Sequence, residues 1–195
     1  MKNIANLAAA LLLATTSFAA DVPAAPPAEG TAAPKFNLPS QDSPSVSLDQ
    51  FKGKWVVLYF YPKDFTSGCT LEAHNFQRDL ARYEAKNAVI VGVSEDNVDS
   101  HKGFCTKEGL SFKVLADTTE HSVATNYGSL MMHDGTAYAS RNTFLIAPHG
   151  VVRKVYLKAS PAPPSDEVLP DRAALPAEKP RGRFAPGLPV NSERA

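Results

Sequence analysis

Between about residues 35 and 160 the apolar and polar positions alternate between two periods. WVVLYFY, residues 55–61, is an unbroken β-branched and aromatic run, as expected of a strand buried on both faces. The spacing then changes. Ala73, Phe76, Leu80 and Tyr83 recur every three or four residues while Arg82, Glu84 and Lys86 fall outside that stripe, which predicts an amphipathic helix. AVIVGVS, residues 88–94, predicts a second buried strand. A second helix is expected over DNVDSHKGFCTKEG, with Asp96 as N-cap, Val98, His101 and Cys105 on one face, and Gly109 as the stop. FKVLAD predicts a short strand and EHSVATNYG a short helix closed by Gly128. RNTFLIAPHGVVRKVYL predicts a hairpin turning at Ala147-Pro148-His149-Gly150. KFNLPS and SVSLDQF, ahead of all these, predict a small leading hairpin. Strands and helices in this alternation predict an α/β fold, a central mixed β-sheet flanked by helices with an N-terminal β-hairpin.

The two ends of the chain do not share this patterning. MKNIANLAAALLLATTSFAA has a positive start, an apolar run from Leu7 to Ala14 and a small-x-small site at Ser17-Phe18-Ala19. That run is about half of the ~20 residues a membrane span needs, so residues 1–19 are expected to be a secretory signal peptide. Residues 20–34 are mostly Ala and Pro and predict a linker; residues 161–195 are proline-rich without either period and predict a disordered tail. One domain over 35–160 is the expectation, in a protein exported to a bacterial periplasm and free of the membrane after signal cleavage.

Charge narrows the partners. Lys plus Arg and Asp plus Glu are equal at 20 each, with no basic stripe, which removes the electrostatic footprint of a nucleic-acid binder. The chain has 2 cysteines. In an oxidising compartment two cysteines often form a structural disulfide, and composition alone favours that for Cys69 and Cys105. Position complicates it. Cys69 follows the first buried strand, at the start of the first helix, where ligands bind in open α/β sheets and where unpaired backbone N–H groups favour an ionised sulfur. The loop before it supplies hydroxyls at Thr66 and Ser67 and a small backbone at Gly68. Zinc is a poor fit, since Cys69 and His74 are five residues apart and no second ligand pair exists. His74 and His101 read as ordinary helix residues, Glu72 as a cap or buttress of the helix start, and Met131-Met132-His133 as a surface or substrate-rim loop rather than a copper site.

YFYPKDFTSGCTLEA resembles the active-site segment of peroxiredoxins, whose signature Pro-x-x-x-Thr/Ser-x-x-Cys falls here on Pro62, Thr66 and Cys69. Within that family the segment looks like the bacterioferritin-comigratory or PrxQ type, and SRNTFLI resembles the strand that supplies the family's arginine, here Arg141. The likeness covers about residues 34–158. It implies a thioredoxin-like three-layer fold and a peroxidase that needs no cofactor. Cys69 would be the peroxidatic nucleophile, Thr66 the hydroxyl holding the peroxide, Arg141 the cation polarising it, and Pro62 a wall against water. Many PrxQ-type proteins carry a resolving cysteine five residues after the peroxidatic one; here that position is His74. Others place it on the next helix, which makes Cys105 the expected resolver and requires one or both helices to unwind. Hydrogen peroxide and small organic hydroperoxides are the implied substrates and a thioredoxin-like dithiol protein the implied reductant, with the peroxidase acting as a monomer. Two readings compete with this one: a non-enzymatic module with a structural Cys69–Cys105 bridge, and a thiol–disulfide oxidoreductase, although Thr66 stands where a thioredoxin would carry its first cysteine.

Overall fold

The structure, a computed structural model, describes residues 24–159. The expected signal peptide and proline-rich tail lie outside the described residues. In chain order the elements are β1 (Asn37–Ser40), β2 (Ser43–Ser47), a 3-10 turn (Leu48–Phe51), β3 (Trp55–Phe60), α1 (Ser67–Ala85), β4 (Ala88–Ser94), α2 (Val98–Glu108), β5 (Lys113–Ala116), α3 (Ser122–Asn126), β6 (Leu130–His133), β7 (Thr136–Ala139), β8 (Thr143–Ile146) and β9 (Val152–Tyr156).

β3 is the centre of a seven-stranded mixed sheet in the order β2-β1-β5-β4-β3-β8-β9. It runs parallel to β4 and antiparallel to β8, and all six of its residues are buried. Its side chains alternate between two cores because successive residues of a strand point to opposite faces. Val57, Tyr59 and Tyr61 join Phe76 and Tyr83 of α1 and Phe104 of α2. Val56, Leu58 and Phe60 join Phe144 of β8 and Val123 and Ala124 of α3. The result is three layers, as a strand apolar on both faces requires. The leading hairpin is present as β1 and β2, and β1 extends the sheet by pairing Ser40 with Leu115 of β5.

Three local expectations are corrected. Asn97, not Asp96, caps α2: its side chain accepts from Ser100 N–H at 2.9 Å, while the Asp96 carboxylate accepts from Ser94 Oγ and from the Asp64 N–H. Met131-Met132-His133 lies in β6, paired with β7, rather than in a loop. The turn between those strands is Asp134-Gly135, both at positive φ (47° and 72°), the backbone that a two-residue hairpin turn demands. Residues 30–34, expected as the end of a linker, are docked beside β9: Gly30 N–H donates to Val152 O at 2.7 Å and Val152 N–H to Thr31 O at 2.9 Å.

Candidate active site

The site begins where β3 stops. Tyr61 N–H still donates to Val93 O, after which half-buried Pro62 ends the ladder and the chain turns through Lys63, Asp64 and Phe65 into α1. Thr66 is the N-cap of α1 by backbone, extended at φ −82° and ψ 146°, with its carbonyl accepting from Thr70 N–H at 2.9 Å. Its side chain does not cap. The exposed hydroxyl donates back to Lys63 O at 3.0 Å, which spends its proton and leaves its lone pairs to accept from an incoming O–H.

Cys69 sits in the first turn of α1 with only 1% of its surface exposed. Arg141, immediately upstream of β8, donates from Nη2 to the Cys69 sulfur at 3.0 Å. Its Nη1 is paired with the carboxylate of Glu72, which is 1% exposed. Glu72 lies three residues after Cys69, so one helix face presents the sulfur and the carboxylate side by side, and one planar guanidinium spans both. Neighbouring backbone fixes the arginine's position: Phe60 N–H of β3 donates to Asn142 O at 2.8 Å, and Ala159 N–H donates to Arg141 O at 2.8 Å. Burial pushes the Glu72 carboxyl up to about 7, with the charge and hydrogen bond of Arg141 pulling the other way.

Four of the five expected residues, Pro62, Thr66, Cys69 and Arg141, therefore converge at one end of β3. Cys105 is placed differently. It is a buried free thiol on α2, in the same core as Cys69. Burial pushes its thiol up to about 12, and the carboxylates of Asp64 and Asp42 add to that. Sequence reasoning also missed a contact inside the loop: Asp64 is buried and reaches His101 of α2, Nδ1 to Oδ2, at 2.9 Å. His74, at the position of the absent near cysteine, is half exposed and pairs with Glu108 of α2 at 3.0 Å.

The profile of the AhpC/TSA family matches residues 30–155, well over half of the chain. The chain belongs to the AhpC/TSA family, and it is a peroxiredoxin. A peroxiredoxin bcp of Helicobacter pylori is 40% identical over 146 residues, covering 72% of this chain and 94% of that one. The chloroplastic peroxiredoxin Q of Triticum aestivum is 40% identical over 128 residues, covering 66% of this chain and 58% of that one. Among solved structures, a C47S mutant of Xylella fastidiosa PrxQ superposes with a TM-score of 0.71 at 28% identity, over 75% of this chain and 96% of that one. BcpB of Mycobacterium tuberculosis gives 0.71 at 28% identity, over 76% and 98%. The fold is thus the thioredoxin-like fold of the PrxQ/bcp group, and the peroxiredoxin is a thiol-dependent peroxidase acting on peroxides at the expense of a thiol reductant. A purely structural module is not favoured.

Proposed function

We propose that Cys69 is the attacking sulfur and Cys105 the resolving one, in an exported, monomeric, atypical two-cysteine peroxidase recycled by a thioredoxin-like dithiol protein of the bacterial periplasm. The observation that carries this reading is the 3.0 Å hydrogen bond from Arg141 to the Cys69 sulfur. Charge-assisted hydrogen bonds stabilise negative charge on the atom they reach, here sulfur before attack and peroxide oxygen during it.

In the first step the Cys69 thiolate attacks one peroxide oxygen, an S–O bond forms and the O–O bond breaks. Sulfur loses two electrons and becomes sulfenic acid; the other oxygen leaves as hydroxide or alkoxide and takes a proton from water. Arg141 keeps its protons and acts through its charge and its directed N–H groups. Thr66 accepts the peroxide O–H on the exposed side of the site, and Pro62 limits the entry of water beside it. Hydrogen peroxide and small organic hydroperoxides fit a nucleophile that follows the small residues Thr66, Ser67 and Gly68.

In the second step the Cys105 sulfur attacks the Cys69 sulfenic sulfur. The S–S bond forms, the S–O bond breaks, and hydroxide leaves as water with the proton that Cys105 gave up. A disulfide requires Cα atoms within about 7 Å and aligned Cβ directions, and because both thiols are buried, the start of α1, α2, or both unwind for it to form. The dithiol protein then reduces the bridge by exchange and takes the disulfide itself. Steady-state turnover with several peroxides and dithiol donors tests the reading. Cys69→Ser should abolish peroxide-dependent oxidation of every donor, and a Cys69→Ser protein that still turns over would overturn the assignment.

A further inference from the structure

The loop that presents Thr66 is fastened to the helix that carries Cys105, and the fastening is a buried polar pair that the peroxidase chemistry does not use. Asp64 and His101 have side chains 1% and 0% exposed, with Nδ1 and Oδ2 2.9 Å apart. Asp64 is fully engaged. Its Oδ1 accepts from Tyr61 OH at 2.6 Å and its Oδ2 from Ser100 Oγ at 2.7 Å, while its own N–H donates to Asp96. Burial would raise the Asp64 carboxyl, but the hydrogen bonds and charge it meets at His101, together with Tyr61 and Ser100, hold it below its ordinary value. His101 is pinned at its other nitrogen too. Its Nε2 lies 3.2 Å from Leu115 O, a carbonyl that only accepts, so Nε2 carries a proton.

The next residue makes a second attachment. Phe65 adopts φ 61°, a conformation that costs a bulky side chain about 1–3 kcal/mol and persists only where its surroundings enforce it. Its ring stands edge-on to Phe104 at 5.3 Å, closes over Gly103, and has Lys107 Nζ 5.5 Å from its centroid. The loop is thus mounted along residues 100–107 of α2, the stretch that contains Cys105.

We propose that Asp64 and His101 are positioning residues for the resolving step: their buried pair clamps the peroxide-binding loop to the resolving helix, so that loop and helix release together. The clamp holds Thr66 in line while Cys69 is reduced and opposes the escape of Cys105 afterwards. This rests on the reading of Cys105 as the resolving thiol. Losing either partner strands a buried polar group and weakens the closed state, so the two steps respond in opposite directions.

The test mixes the reduced full-length protein with one equivalent of hydrogen peroxide, quenches with an alkylating reagent at successive times, and quantifies Cys69 sulfenic acid and the Cys69–Cys105 disulfide by peptide mass spectrometry. In Asp64→Asn and His101→Gln the disulfide should form about tenfold faster and the sulfenic acid more slowly, with the double variant no faster than either single one. Val152→Ala, in the opposite core, serves as a control for general loss of stability and should leave the disulfide rate unchanged. If either pair variant fails to fold, Ser100→Ala removes one hydrogen bond from Asp64 and should shift the rate in the same direction by less. A wild-type disulfide rate reproduced in all these variants, or an equal acceleration in Val152→Ala, would overturn the clamp while leaving Cys105 as resolver. No Cys69–Cys105 disulfide in the wild-type protein would overturn both.

Discussion

Cys69 and Cys105 occupy the same core, on neighbouring helices, and both are buried thiols, yet their surroundings share little else. Cys69 lies at a helix start and receives a guanidinium hydrogen bond; Cys105 lies on α2 in the apolar core, where the carboxylates of Asp64 and Asp42 add to the effect of burial. Burial alone is therefore not what makes a sulfur inert. One thiol receives a hydrogen bond from a cation where negative charge will develop, and the other is pushed up to about 12 by burial and by the carboxylates of Asp64 and Asp42. A sulfur of the second kind becomes a nucleophile only when its helix moves, which separates a chemical step from a conformational one.

The contrast breaks most completely at Arg141. Arg141→Ala should lower kcat/KM for peroxide by about 10²- to 10³-fold, the usual loss when a preorganised charge donor is removed. Arg141→Lys should recover only part, since an ammonium does not span Cys69 and Glu72 as the planar guanidinium does. Stopped-flow peroxide consumption measures both, and an unimpaired alanine variant would erase the distinction between the two sulfurs. The next test concerns pH. Burial raises the Cys105 thiol while its helix is closed, and even an uncovered thiol keeps most of its proton near neutrality, so the rate of disulfide formation after a peroxide pulse should climb with pH through the neutral range. A rate independent of pH there would mean that ionisation of Cys105 does not limit the step, either because the thiol is already ionised or because opening of its helix sets the rate.

Glu72 sharpens the comparison from the Cys69 side. Its carboxyl binds a proton more tightly folded, at about 7, than unfolded, at 4.5, so protonation favours the fold. That contribution is fully present below pH 4.5 and is lost as pH rises through about 7. Glu72→Gln keeps a hydrogen-bond acceptor for Arg141 and removes the titration, so denaturant midpoints should depend less on pH across that window than in the wild type. The smallest effect is expected at the cap of α2. Asn97→Ala removes the acceptor for Ser100 N–H and should destabilise the protein by about 1 kcal/mol, measured by denaturant unfolding, while sulfenic acid formation at Cys69 stays near its wild-type rate.

Most of the fold was legible because β3 and α1 carry strong, different periods and sit next to each other. Pro62, Thr66 and Cys69 could be read as a unit for the same reason: they are close in sequence and fall at the junction between those periods. Arg141 was reached through the resemblance, since no local pattern ties a residue before β8 to one 72 positions earlier. The β6–β7 hairpin was missed although Asp134-Gly135 is a strong two-residue turn signal; the exposed Met131 and Met132 on its strand broke the expected alternation. Asp96 and Asn97 are both good capping residues, and only the direction of their side chains separates them. Asp64 and His101 were illegible as a pair. A lone histidine on a helix face carries no sign of its partner, and the partner lies 37 residues away in a loop.

Treatment of the reduced wild-type protein and of Cys105→Ser with one equivalent of hydrogen peroxide, followed by peptide mass spectrometry with a sulfenic-acid trap, addresses the division of labour between the two sulfurs most directly. That division of labour requires a Cys69–Cys105 disulfide in the wild type and trapped sulfenic acid at Cys69 in the variant. Sulfenic acid on Cys105 in the wild type, or Cys69 left unoxidised in either protein, would contradict it.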